Sequence, residues 1–280
     1  MSNNKIKSII KKIIFPIRFN LRQLIGGNRM KPSFIIVGAQ KAGTTSLYKY
    51  LVQHPEIEST LLKEVHYFDL NFNKPLSWYQ SFFPLKRNNS HITGEASPYY
   101  MFHPLAIKRI AAYNPDMKII VLLRDPVSRA ISHYYHEVRL GREELGMKVA
   151  FEEENKRLEG ELEKFKNNPY YRGNKYQRYS YKSRGIYVDQ INEIKACFKE
   201  DNIKIIDSKD FFKQTKGTVR DVLSFIGVDP KFEIKTGKRF NVGNYVKDPD
   251  EEQVYTELKA YYKEPNATLY NAIGKRFDWD

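Results

Sequence analysis

Apolar and polar positions follow two rhythms along this chain. FIIVGA (34–39) is a continuous apolar run of strand length. TTSLYKYLVQHP (44–55) repeats its apolar residues at helical spacing until His54-Pro55 stops it. ITGEASPYYMFHP (92–104) reads as a second short strand and a turn, PLAIKRIAAYNP (104–115) as a helix, and MKIIVLLRDP (117–126) as a fully buried strand ending at Arg124 and Asp125. VSRAISHYYHEVR (127–139) opens another helix. Residues 141–168 are charged and helical in pattern, and they give way to the basic, tyrosine-rich PYYRGNKYQRYSYKSRG (169–185). A helix (IYVDQINEIKACFK), a strand (NIKIID) and a helix (TVRDVLSFIGV) complete the alternation. Strands alternating with helices predict an α/β fold, a mostly parallel sheet flanked by helices. Ligands of such sheets bind at the carboxyl ends of the strands, where both the glycine-bearing turn after FIIV and Arg124 fall. No linker divides residues 31–280, which read as a single domain.

Residues 1–30 have a different pattern. Ile6, Ile9, Ile10, Ile13 and Ile14 recur at helical spacing among Lys5, Lys7, Lys11 and Lys12, and Pro16 should break or kink the helix. No acidic residue occurs before Glu56. A basic amphipathic helix can lie on an anionic membrane surface, or it can pack on its own domain. The formal net charge of +14 extends the preference for anions to the whole chain: nucleotides, acidic polysaccharide, nucleic acid or anionic lipid. Cys197 is the sole cysteine, which excludes an intrachain disulfide and a cysteine-based metal cluster and suits a reducing, cytoplasmic setting. No apolar run approaches the ~18–20 residues of a membrane span. The expected localisation is therefore cytoplasmic, with peripheral contact to an anionic membrane through residues 1–30.

The chemistry concentrates in GAQKAGTT (38–45), a near-match to the phosphate-binding P-loop G-x-x-x-x-G-K-[ST]. Gly38, Gly43 and Thr45 hold their places, but Thr44 stands where the lysine belongs, and the lysine has moved inside the loop as Lys41. Strand, glycine loop and helix place backbone N–H groups and a helix N-terminus around an anion. A nucleoside-triphosphate enzyme also needs a strand ending in aspartate for Mg²⁺. Here the equivalent strand ends in Arg124, a fixed fork suited to a phosphate monoester, with Ser132 two helical turns on. Two anion sites without an evident magnesium ligand describe a nucleotide with phosphates at both ends.

That pair of motifs, at this separation, resembles the sulfotransferases that use 3′-phosphoadenosine 5′-phosphosulfate (PAPS), from about Ser33 to the C-terminus. The resemblance is closest to the branch containing heparan sulfate glucosaminyl sulfotransferases, through KEVHYFD (63–69), IIVLLRDPVSRAISHYY and YYKEPNATLYNAIGKRFDW. It implies that Lys41, Ala42, Gly43, Thr44 and Thr45 hold the 5′-phosphosulfate and that Arg124 and Ser132 hold the 3′-phosphate. Arg184, Gly185 and Tyr187 match a segment near the 3′-phosphate and adenine. Glu64 matches the catalytic base, His66 and Asp69 the acceptor site, and Lys41 would stabilise the departing oxygen. Lys63 would raise the local positive potential. Three departures stand out. Ala96 replaces the lysine that follows the glutamate of the GE-type strand, and the paired C-terminal cysteines are absent. The nucleotide loop of the family is approximated only by Gly243, Asn244, Tyr245 and Lys247. The resemblance implies sulfuryl transfer to a hydroxyl, less readily an amine, of a carbohydrate or glycolipid acceptor, with adenosine 3′,5′-bisphosphate as product and no metal. Tyrosines interleaved with Arg172, Lys175, Arg178, Lys182 and Arg184 suit stacking on sugar rings or an ordinary solvated loop. A P-loop kinase is one alternative; a nucleic-acid-binding protein is another, suggested by charge alone.

Overall fold

A computed structural model describes residues 16–17, 19–23, 26–87, 90–237 and 246–279. Five parallel strands form one sheet in the order β2-β3-β1-β4-β5. They are β1 (Phe34–Gly38), β2 (Ile57–Glu58), β3 (Ile92–Ala96), β4 (Lys118–Leu123) and β5 (Ile203–Asp207). β1 lies at the centre, with Ile35 opposite both Glu95 of β3 and Ile119 of β4. Ile35, Ile36 and Val37 and the run Ile119–Leu123 are wholly buried, as expected of strands covered on both faces. Gly94 allows β1 to approach: a Cβ there would meet the Phe34 carbonyl at 2.5 Å.

Helices connect and flank these strands. α1 (Thr44–Leu51) packs on β1 and β3, α2 (Leu76–Gln80) follows β2, and α3 (Ala106–Tyr113) joins β3 to β4. α4 (Pro126–Arg139) follows β4 with Pro126 in its first turn and Asp125 as N-cap, accepting from the amides of Val127 and Ser128 at 3.2 and 2.9 Å. The charged stretch 141–168 is not one helix but three short ones: α5 (Met147–Glu152), α6 (Glu154–Leu158) and α7 (Glu161–Asn167). Its break at Gly160 has φ 71. Three of its glutamates are folded inward. Glu143 takes Arg157 and the Tyr181 hydroxyl, Glu154 accepts the amides of Lys182 and Ser183, and Glu161 pairs with Lys164 and Tyr171.

Next come α8 (Asn174–Tyr179), α9 (Tyr187–Cys197), α10 (Ser208–Lys213), α11 (Thr215–Phe225) and a 23-residue α12 (Glu251–Ile273) that carries Pro265. α12 packs on both α4 and α9. The apolar interior has two parts. The larger surrounds the sheet; the smaller joins α4, α5, Tyr181 and α12 through Tyr134, Phe151 and Leu258. Residues 19–23 and 26–29 lie on the domain: Phe19 packs against Trp78 and Phe82, Arg22 and Arg29 donate to the Phe83 carbonyl, and Arg29 bridges to Leu85. The isoleucine stripe falls outside the described residues.

Candidate active site

A cavity of about 990 Å³ runs along the carboxyl edge of the sheet. Its wall takes residues that follow every strand: Ser208 and Lys209 after β5, Arg124 after β4, Gln40, Lys41 and Gly43 to Thr45 after β1, Pro98 and Tyr99 after β3, and Glu64 and His66 after β2. Strand order therefore lays out the site. The glycine loop and the β4 and β5 ends form one half; the β3 and β2 ends form the other.

In the first half, Gly43 is the N-cap of α1 at φ 101, a conformation open to glycine, and a Cβ on it would meet the Phe212 ring at 2.8 Å. The first amides of a helix point along its axis into the space ahead of it, a geometry suited to an anion, and the head of α1 faces the cavity. The loop's outward carbonyls are held from behind: Ser208 Oγ donates to Ala42 at 2.8 Å and Arg124 Nη1 to Lys41 at 3.0 Å. Burial, then the charges of Arg139 and Arg124, pushes the Lys41 ammonium below its usual range. Such a lysine is short of negative charge, which an anionic ligand would supply. Asp125, the residue a magnesium site would use, is committed to capping α4 and accepting the Ser128 hydroxyl at 2.5 Å. Ser128, Ser132 and His136 follow at i+4 spacing and all line the cavity.

In the second half, KEVHYFD is a loop without strand structure. Glu64 is ion-paired to Lys63 and approaches His66 Nε2 at 3.4 Å, while His66 Nδ1 meets Asp69 Oδ2 at 2.7 Å. Burial opposes the charge on Glu64, but the His66 hydrogen bond and the Lys63 ammonium outweigh it and hold the carboxyl down to about 2. Burial likewise opposes protonation of His66, yet Asp69 and then Glu64 raise it to about 10. At neutral pH the cluster is a carboxylate beside an imidazolium. Beneath it lies Glu95, fully buried, accepting from Tyr79 at 2.7 Å, Ser97 at 2.8 Å and Tyr100 at 3.2 Å. Burial lifts Glu95 to about 7 against the hydrogen bonds of Tyr79 and Ser97. Ser97 and Tyr100 also accept the amides of His66 and Tyr67, so the network anchors the loop.

The cavity thus gathers Lys41, Gly43, Thr44, Thr45, Glu64, His66, Arg124, Ser132 and Arg184. Other expected site residues stand behind it. Ala42 is buried and acts through its carbonyl, Lys63 and Asp69 act on Glu64 and His66, and Tyr187 is buried with its hydroxyl donating to the Arg124 carbonyl at 2.9 Å. Arg184 lies toward the β3 end: its guanidinium stacks over Tyr99 and Phe102 at 5.1 and 4.9 Å and donates to Gln40 and the Gln177 carbonyl. Lys247 is exposed and 3.7 Å from Glu251, away from the cavity wall. Gly243, Asn244 and Tyr245 fall outside the described residues. Ala96 is wholly buried and sends no charge into the cavity.

Of the basic, tyrosine-rich stretch, Arg178 and Arg184 reach the cavity, whereas Tyr181 is core and Tyr176 stacks on Phe102 at 4.6 Å. Sequence reasoning passed over Gln40, His136, Glu137, Arg142, Lys209 and the C-terminal pair Asp278 and Trp279, all of which line the wall. His136 had a usable signal, its i+4 step from Ser132. Burial and the neighbouring Lys41 and Arg139 charges depress it to about 4, and Arg139 Nη2 lies 3.0 Å from its Nδ1, so the neutral ring carries its proton on Nε2.

The family model described as "Sulfotransferase domain" matches residues 31–259. The chain is 25% identical to the "Membrane-associated sulfotransferase kil1" of Dictyostelium discoideum, over 89% of this chain and 66% of that protein. It is 42% identical to human "Heparan sulfate glucosamine 3-O-sulfotransferase 6" over 39% of this chain and 31% of that protein. It therefore spans about two thirds of the first relative's length and under a third of the second's. Among solved structures, a sulfotransferase from Alicyclobacillus acidocaldarius superimposes with a TM-score of 0.66 at 28% identity, over 89% of this chain and 98% of that one.

Proposed function

Since the chain belongs to the sulfotransferase domain family, we propose that it moves the sulfuryl group of PAPS onto a hydroxyl, less readily an amine, of a carbohydrate or glycolipid acceptor. The observation that supports this reading is one cavity lined by Lys41, Arg124 and Ser132 together with the paired Glu64 and His66. At about 990 Å³ it lies at the upper end of small-molecule sites, with room for a nucleotide and part of an acceptor together. The residues fit the nucleotide. Gly43 lets the Phe212 ring pack against the turn that opens α1, burial with the Arg139 and Arg124 charges holds the Lys41 ammonium below its usual range so that a bound anion would offset them, and Arg124 and Ser132 line the same space one strand away.

PAPS supplies the transferable sulfuryl group and leaves as adenosine 3′,5′-bisphosphate. Lys41 and the amides of Gly43–Thr45 hold the 5′ end and offset charge on the departing oxygen. Arg124 and Ser132 hold the 3′ end. Glu64 accepts the acceptor's hydroxyl proton as the new S–O bond forms. His66, already protonated, cannot be that base; it orients Glu64 and is itself fixed by Asp69. Arg142, Arg178 and Arg184 line the wall with His136 and favour an acidic acceptor. The names of the human and mouse relatives, heparan sulfate 3-O-sulfotransferases and an N-deacetylase/N-sulfotransferase, support a carbohydrate.

Calorimetry in EDTA tests the donor: adenosine 3′,5′-bisphosphate should bind more tightly than ATP, and equal or tighter binding of ATP would point to a kinase. Incubation with labelled PAPS and a panel of polysaccharides, glycolipids and small alcohols identifies the acceptor. For location, no helix among the described residues is long and apolar enough to cross a membrane. The isoleucine–lysine stripe and the membrane-associated relative support peripheral attachment. Because Phe19, Arg22 and Arg29 contact the domain, the informative deletion is 1–15. It should abolish sedimentation with anionic vesicles and leave turnover of a soluble acceptor intact; unchanged sedimentation would refute attachment through this segment.

A further inference from the structure

Beyond α12 the chain returns to the end of β5, where Asp278 and Trp279 line the cavity. The Trp279 indole N–H donates to Asp207 Oδ1 at 3.2 Å. Asp207 is the N-cap of α10, accepting the Lys209 amide at 3.1 Å. The same helix holds the glycine loop, through Ser208 Oγ on the Ala42 carbonyl and the Phe212 ring against Gly43. On its other side Trp279 meets Tyr187 edge-on at 6.0 Å, and Tyr187 holds the Arg124 carbonyl. The Lys209–Asp278 ion pair pins the returning segment to α10. Trp279 is 7% exposed, and the part left open faces the cavity. One ring thus contacts the supports of both phosphate sites.

We propose that Trp279 is a positioning residue that sets the separation of the two phosphate sites, and so selects a nucleotide phosphorylated at both the 3′ and 5′ positions over one with a single phosphate. The inference rests on the assignment of those sites to the two ends of one nucleotide. A ligand that bridges both sites gains from their fixed spacing, because the second contact forms at high effective concentration. A ligand that uses one site gains nothing from it.

The test compares affinities for adenosine 3′,5′-bisphosphate and AMP in the wild type and in Trp279→Phe, which keeps a ring but loses the indole donor. The bisphosphate should weaken roughly tenfold, as expected for one lost buried hydrogen bond, with AMP nearly unchanged. Equal losses for both nucleotides, or an unchanged ratio, would overturn the inference. A second arm leaves Trp279 intact. The chain has two tryptophans, and Trp78 packs against Phe19 and Phe82. In Trp78→Phe, the Trp279 emission should respond to the bisphosphate more strongly than to AMP, and equal responses count against it. A wild type that does not prefer the bisphosphate would sink the two-site assignment itself, an outcome visible before any variant is made.

Discussion

Glu64→Gln separates the base from its surroundings. Glutamine keeps the shape and one acceptor oxygen, but it cannot take a proton. His66 remains charged in the variant, because Asp69, with a fully buried side chain, stays 2.7 Å from Nδ1. A general base is worth roughly 10²–10⁴ in rate, or ~2.7–5.5 kcal/mol of barrier. The geometry places Glu64 toward the lower end of that range. A carboxyl held near 2 by His66 and Lys63 is a weak base until the acceptor hydroxyl displaces one of those contacts. The expected fall in kcat is therefore nearer 10² than 10⁴. Sulfuryl transfer is followed with labelled PAPS at saturating acceptor, and adenosine 3′,5′-bisphosphate binding is measured alongside by calorimetry. Binding should hold, since Lys41, Arg124 and Ser132 belong to other loops. His66→Ala should lose less. Near-normal kcat in Glu64→Gln with a dead His66→Ala would reverse the roles, and loss of nucleotide binding in both would make KEVHYFD a structural segment.

Arg124→Ala removes a charge-assisted contact to phosphate and should cost about 2–3 kcal/mol of bisphosphate affinity, roughly 30- to 150-fold by calorimetry; a loss below threefold would move the 3′-phosphate elsewhere. Gly43→Ala puts a side chain at φ 101 against Phe212, a strain of order 1–3 kcal/mol that should lower the melting temperature and weaken nucleotide binding together; a silent variant would refute the cradle. For His66, the folded-state value of about 10 lies above the ordinary 6.5, so its charge stabilises the fold fully below pH 6.5 and ceases to do so as pH rises through 10. Denaturant unfolding of wild type and His66→Asn should show a stability gap that narrows from pH 6 to pH 9, and a constant gap would contradict the charge assignment.

The sheet and its loops were legible because their signals are local. Apolar runs marked β1, β3, β4 and β5, and GAQKAGTT and RDP followed from strand ends and glycine spacing. Two-residue β2 is too short for periodicity to register. Residues 141–168 read as charged and helical, and they are; that Glu143, Glu154 and Glu161 are buried with their partners is set by packing, because a buried glutamate has the same letter as one in water. Within the site, groups that match a motif were named, whereas Gln40 sits unmarked inside the glycine loop and Arg142 and Trp279 arrive by tertiary return of distant segments. The Trp279–Asp207 contact spans 72 positions, and no local spacing encodes it.

The smaller apolar cluster, built from α4, α5, Tyr181 and α12, carries an evolutionary consequence. It roots residues 141–181, which bring Arg142, Gln177 and Arg178 to the cavity, in packing largely separate from the sheet that holds the glycine loop and Arg124. Substitutions within residues 141–181 therefore leave the packing of the glycine loop and Arg124 in place, whereas those in α4 also reach Ser132. Under the proposed function, acceptor preference can change through one module while nucleotide binding is kept by the other. A chimera that receives the 141–181 segment of a relative should inherit that relative's acceptor and keep its own nucleotide affinity.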